Sequence, residues 1–261
     1  MTPPPAQSTT PQPTTDQSAS AAAFGDDGET IEVPIPIEQQ TFEVPIPDVS
    51  DLVTEDDTPV DNLLQEKLQR FLVQCLYSSL KVDIPFLATC DVGLFYSINE
   101  AALVPDVMLS LGVTVPDDWS QKRNRSYFVW ELGKPPEVAI EIVSNKKGHE
   151  LDRKLADYAR AGVAYYAIFD PLEQLSQEIL QVYVLHAGHY QRLENSWLES
   201  VGLGLTVWQG TFETKQYDRW LRWCDRDGNL LLTGDERAEQ ERQRAERLAE
   251  LLRSQGIDPD A

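Results

Sequence analysis

Read as a succession of apolar and polar positions, the chain changes character near residue 62. Residues 1–61 are Pro, Thr, Ser, Gln and Ala followed by acids, with few large apolar groups. Such a segment cannot bury enough surface to offset the entropy of ordering, so a disordered tail is expected. Beyond it, Leu63, Leu64, Leu68, Phe71, Leu72, Cys75 and Leu76 recur at helical spacing. They predict a helix over 62–80, capped by Asp61 or Asn62 and packed on a sheet. Apolar runs at 84–90, 92–96 and 104–111 predict strands, followed by a polar loop at 116–126 in which Lys122, Arg123 and Arg125 lie near Trp119, Tyr127, Phe128 and Trp130. Residues 137–143 form a Val/Ala/Ile run interrupted by Glu141, the pattern of a buried central strand. A helix over 149–161 should turn Leu151, Leu155 and Tyr158 to one face and end at Gly162, before a strand at 164–169.

The remainder predicts a hairpin from 179–185 and 190–193 around Gly188, an apolar segment at 203–208, a short helix at 218–223 and a turn at 227–229. Residues 235–255 read as a charged surface helix ended by Gly256. Its apolar seam of Ala238, Ala245, Leu248 and Leu252 is thin for a stable coiled coil. Strands interleaved with helices give an α/β domain with a mixed central sheet. The expected organisation is a tail at 1–61, a globular domain at 62–234 and a charged C-terminal helix and tail at 235–261.

Two copies of the pentapeptide EVPIP, at 32–36 and 43–47, punctuate the tail. Each Pro fixes φ and removes a donor, so these patches should be extended, serving either as a spacer or as a docking motif. At 41% hydrophobic content the 261 residues support a sizeable core. No apolar run is long enough to cross a bilayer, and no basic-then-apolar leader opens the chain, so a cytoplasmic protein is expected. Cys75, Cys90 and Cys224 share no metal-ligand spacing and predict reduced thiols.

The formal net charge of −21 opposes any dealings with nucleic acid, but its distribution softens the objection. Of the 43 acids, 13 lie in residues 1–61 with none of the 22 bases, leaving 30 acids against 22 bases, or −8, in the rest. An acidic tail could also compete with nucleic acid for the protein's own basic groups, an autoinhibitory arrangement.

The candidate chemistry is concentrated in one βαβ-like stretch. A carboxylate in a Val/Ile strand is costly to desolvate unless paired or bound to a cation, so Glu141 needs a partner. Asp106, expected in the middle of the 104–111 strand, could share a divalent ion with it. Magnesium fits, because it takes oxygen ligands from one or two carboxylates plus water and can bridge to a phosphate. Alternation places Ala139, Glu141 and Val143 on one face and Ile140 and Ile142 on the other, with the Ile142 carbonyl as a further oxygen for the metal. Lys154, three residues after Leu151 and four before Tyr158, borders the inward face of its helix and can orient water or stabilise phosphoryl charge. Each residue has a plainer explanation: Asp106 as a turn residue after Pro105, Lys154 as a surface lysine with an apolar stem, Glu141 as half of a salt bridge with Lys154. Less favoured candidates are His149 as a cap-region residue, His186 and His189 in the hairpin turn, Glu66 on the first helix, Glu137 at the strand entrance, and Lys146 and Lys147 in the following loop.

These blocks resemble the Uma-type restriction endonucleases of the PD-(D/E)xK nuclease superfamily. VPDVMLS around Asp106 is similar to the family's Pro-Asp strand, PEVAIEIVS to its Glu-bearing strand, and KLADYARAGVAYYAIFDP from Lys154 to its helix-strand block. The similarity spans roughly 62–234. It implies a restriction-endonuclease-like fold, metal-ligand roles for Asp106 and Glu141, magnesium or manganese as the ion, and DNA as the substrate. Where the general superfamily pattern puts its lysine two residues after the acid, this chain has Val143; the resemblance implies that the helix supplies it, as Lys154. A homodimer would let two sites act on two strands. The competing expectation is a catalytically silent nuclease fold used as a binding or regulatory module. A two-carboxylate glycosidase would leave Lys154 unexplained.

Overall fold

The computed structural model describes residues 62–98, 100–121, 124–144 and 152–258. The expected tail at 1–61, with its EVPIP repeats, lies outside the described residues, as do Lys122, Arg123, Lys146, Lys147 and His149.

The chain opens with helix α1 (Leu63–Ser79), whose N-cap Asn62 accepts hydrogen bonds from the backbone N–H groups of Leu64 and Gln65. Strand β1 (Phe86–Thr89) follows, then β2 (Leu94–Phe95) and β3 (Val107–Leu111). After the polar loop come β4 (Tyr127–Phe128), one turn of helix α2 (Val129–Leu132) and β5 (Val138–Ile142). Helix α3 (Arg153–Ala161) then leads through Gly162, in the left-handed region, into β6 (Tyr165–Phe169). The expected hairpin is β7 (Leu180–His186) and β8 (His189–Arg192). Short β9 (Trp197–Leu198) and the long pair β10 (Leu203–Phe212) and β11 (Lys215–Cys224) precede helix α4 (Gly234–Ser254).

Six strands form the central sheet in the order β1-β3-β5-β6-β7-β8. β5 and β6 run parallel, joined by the α3 crossover, while their neighbours pair antiparallel. The α/β architecture with a mixed central sheet is therefore as expected. Both central strands are buried along their whole length, which explains why their sequences are continuous apolar runs.

Alternation sorts the side chains into two layers. Val107, Leu109, Val138, Ile140 and Ile142 pack with α1 and the β10–β11 hairpin. Met108, Ala139, Val143, Tyr166 and Ile168 face the other way, against Tyr158 and Ala161 of α3. The indole N–H of Trp223 donates to the Leu72 carbonyl at 3.1 Å and ties the hairpin to α1.

Two expectations are corrected. Residues 218–223 are not a helix but part of β11, paired with β10 through a two-residue turn. Glu213 and Thr214 both adopt positive φ in that turn, 44° and 66°, the geometry that matches strand twist. Without Gly or Asn there, the turn leaves little trace in the sequence. Continuous burial from Trp220 to Cys224 also removes the alternation that marks a strand. Asp106, in turn, precedes β3 rather than lying within it. Pro105 has no N–H to give the ladder, and its carbonyl accepts from the Asp91 N–H at 3.2 Å instead.

Candidate functional site

β3 and β5 are in antiparallel register with Val107 opposite Ile140. One step further along that register puts Asp106 across from Glu141. The two carboxylates expected to act together thus lie at the same level, Asp106 just before β3 and Glu141 within β5, and both are buried, at 7% and 3% exposure.

Each is held by donors from different elements. One oxygen of Asp106, Oδ2, accepts the Ile142 backbone N–H at 2.5 Å. The other, Oδ1, accepts amide N–H groups from Gln65 at 2.7 Å and Gln69 at 3.2 Å. Glu141 Oε2 accepts from the Lys154 ammonium at 2.9 Å, and Oε1 from the Tyr158 hydroxyl at 2.5 Å. Lys154 and Tyr158 are one turn apart on α3, so a single helix face grips both oxygens of Glu141.

Burial raises the pKa of both acids. For Glu141 desolvation is the main cause and the nearby Asp106 charge adds to it; Lys154 and Tyr158 oppose the shift, and the result is about 8. Asp106 is also raised, first by desolvation, against the lowering effects of the Ile142 N–H, Gln65, Lys154 and Gln69. The Tyr158 hydroxyl is driven well above the usual phenol range by burial and by Glu141. Two like charges in a desolvated site favour a proton or a cation between them.

Glu141 borders a cleft of about 320 Å³ lined by Ala102, Leu103, Val104, Arg153, Lys154, Asp157 and Tyr158. The Lys154 side chain is about one-third exposed there, with its ammonium on Glu141. Among the described residues no group of three or more His, Cys, Asp or Glu side chains is placed to hold a metal. The donor set is a pair of hard oxygen carboxylates, which fits magnesium, an ion that relies on few protein ligands and retains several waters.

Gln65, Gln69 and Tyr158 had no part in the site expected from sequence. The glutamines did leave a signal: they lie four apart on the same helix face as Leu68 and Leu72, and a buried amide needs a partner. Tyr158 counted only as an apolar face residue, whereas its hydroxyl reaches Glu141. The less favoured candidates go elsewhere. Glu66 pairs with Arg70 on the surface at 2.8 Å. Glu137 accepts the Leu111 N–H at 2.8 Å and pairs with Lys134. His186 and His189 face each other across the β7–β8 hairpin end. Arg125 donates to the Trp119 and Ser120 carbonyls and so braces its own loop. All three cysteines are free thiols.

Among the described residues no helix is long and apolar enough to cross a membrane. Comparison with family models matches residues 55–211 to Uma2, described as a putative restriction endonuclease. No curated protein matches the chain. Among solved structures it is similar to one described as a putative nuclease belonging to DUF820 from Anabaena variabilis ATCC 29413, with 16% identity and a TM-score of 0.39, covering 53% of this chain and 71% of that one.

Proposed function

The chain belongs to the Uma2 family, and from that premise we propose that it is a metal-dependent endonuclease hydrolysing DNA phosphodiester bonds at Asp106, Glu141 and Lys154. The observation that carries this reading is the pairing of two buried carboxylates across β3 and β5 with a lysine ammonium 2.9 Å from the one that borders the cleft.

Asp106, Glu141 and the Ile142 carbonyl would hold the ion, magnesium or manganese. When bound, such an ion lowers the pKa of a coordinated water and neutralises charge on the phosphate. Lys154 reaches from α3 to Glu141 along a partly exposed cleft wall, where its ammonium would orient water or stabilise a phosphoryl oxygen. Gln65, Gln69 and Tyr158 fix the directions of the carboxylates before substrate arrives, the preorganisation that electrostatic catalysis needs. Arg153, on the cleft wall beside Lys154, adds positive charge where a phosphate backbone would enter. Within this reading residues 62–234 are the nuclease domain.

Plasmid nicking in the presence of Mg²⁺ tests the assignment. The wild-type protein is expected to convert supercoiled to open-circular DNA, and Glu141→Ala to abolish this. Equal activity in the two proteins overturns the site.

One observation favours a second reading, a catalytically silent fold used as a binding module. All four carboxylate oxygens already accept hydrogen bonds, so the cluster is satisfied without an ion. Calorimetric titration with Mg²⁺ separates the two: heat of binding that is lost in Asp106→Ala supports the nuclease, and no heat in wild type supports the silent fold.

A further inference from the structure

We propose that α4 is a self-association arm that pairs antiparallel with the α4 of a second copy of this chain. The helix is fastened to the domain at its start. Thr233 and Glu236 form a reciprocal capping box, each side chain accepting from the other's backbone N–H. The same Glu236 carboxylate takes two hydrogen bonds from Arg222, at 2.9 and 2.8 Å. Arg222 is fully buried, its guanidinium lies 4.6 Å from the Phe71 ring and 4.8 Å from the Trp208 ring, and it also donates to the Leu231 carbonyl at 2.7 Å. Arg237 adds a hydrogen bond to the Ser78 carbonyl at the end of α1.

Past this anchor, α4 is solvated on all sides. None of its 21 residues is buried. Helices in proteins draw most of their stability from packing an amphipathic face, and beyond its anchor α4 leaves its residual apolar face unpacked. Here that face is concentrated near the free end: Leu248, Leu251 and Leu252 are 53%, 59% and 37% exposed, and Ile257 just beyond is 51% exposed. Ala238 and Ala245 continue the stripe toward the anchor, so the near half is small and the far half bulky.

Charge divides along the same line. Residues 234–241 carry four acids and one arginine, whereas 242–254 carry four arginines and two glutamates. A parallel pair would set acid against acid and leucine against leucine. An antiparallel pair sets the acidic, alanine-lined half against the basic, leucine-rich half, matching both charge and volume. The segment is complementary to itself in one orientation, which identifies a second copy as the occupant.

Sedimentation of the full chain over a concentration series tests the arm. A monomer–dimer equilibrium is expected, and the exposed double substitution Leu248→Glu with Leu252→Glu should shift it to monomer without changing the thermal transition of the domain. A wild-type chain that stays monomeric throughout, or a dimer untouched by the substitutions, overturns the proposal. Orientation is read from disulfide trapping against a wild-type control. An equimolar mixture of Glu241→Cys and Leu252→Cys should cross-link between the two variants, and Leu252→Cys alone should cross-link poorly. Efficient self-cross-linking of Leu252→Cys would establish a parallel pair and sink the antiparallel arrangement. DNA cleavage enters none of these readouts, so the arm and the nuclease site stand or fall separately.

Discussion

Tyr158 donates a 2.5 Å hydrogen bond to Oε1 of Glu141, the oxygen that Lys154 does not hold. The phenol is almost wholly buried and its ring stacks on Tyr166 at 4.8 Å, so the hydroxyl has little freedom to turn elsewhere. A central-strand acid is thereby oriented by a residue whose only trace in the sequence is an aromatic at helical spacing.

Tyr158→Phe keeps the ring and removes the donor. A hydrogen bond to a charged group contributes roughly 1.5–3 kcal/mol, and the loss should appear partly as lower stability and partly as a further rise in the Glu141 pKa. We expect about a tenfold fall in nicking rate at neutral pH, recovered in part at higher pH as Glu141 ionises. A pH–rate profile of the variant provides the check; an unchanged profile would remove Tyr158 from the site.

The acids also set a pH dependence of stability. Glu141 in the folded chain has a pKa of about 8 against an ordinary value of 4.5, so the unfolded chain loses its proton first as pH rises. Its contribution to stability is complete below about 4.5 and is lost progressively as pH climbs toward 8, with Asp106 acting in the same direction. Thermal melts in chelator across that window should show the decline, and Glu141→Gln should flatten it. Added Mg²⁺ should stabilise the wild type more at the alkaline end, because bound ligands are deprotonated.

Gln65→Leu and Gln69→Leu remove the amides that face Asp106 from α1. Each variant removes one of the two donors to Oδ1; losing a hydrogen bond costs about 0.5–1.5 kcal/mol, with Gln65 the larger at 2.7 Å against 3.2 Å. In a calorimetric titration both variants should bind Mg²⁺ more weakly than wild type, while Glu66→Ala, altering only a surface ion pair, should not.

Arg222→Met would leave Glu236 without its buried partner and remove the cation from between Phe71 and Trp208. Because Glu236 is about one-third exposed, solvent takes over part of the lost interaction, and the cost should be on the order of 1–3 kcal/mol. Chemical denaturation should show a lower midpoint. Far-ultraviolet circular dichroism should report helix loss if α4 frays from its anchored end, and no change in either measurement would show the anchor to be dispensable.

Local pattern determined much of this protein. Seven apolar residues at helical spacing specified α1, the Val/Ala/Ile run broken by Glu141 specified β5, and that glutamate marked the candidate site, because desolvating an unpaired carboxylate is prohibitive. Those signals survive in one dimension because helix and strand periodicities repeat over a few residues. What only the tertiary structure decided is which distant groups meet. Gln65 comes to Asp106 from 41 positions away, Tyr158 to Glu141 from 17, and Trp223 to Leu72 from 151. Residues 215–224 became a strand because β10 supplied hydrogen-bond partners and the turn at Glu213 and Thr214 brought them into register, neither of which the segment's own spacing reveals. The pairing of Asp106 with Glu141 belongs to the same class: each acid was visible alone, but their mutual repulsion exists only once β3 lies beside β5.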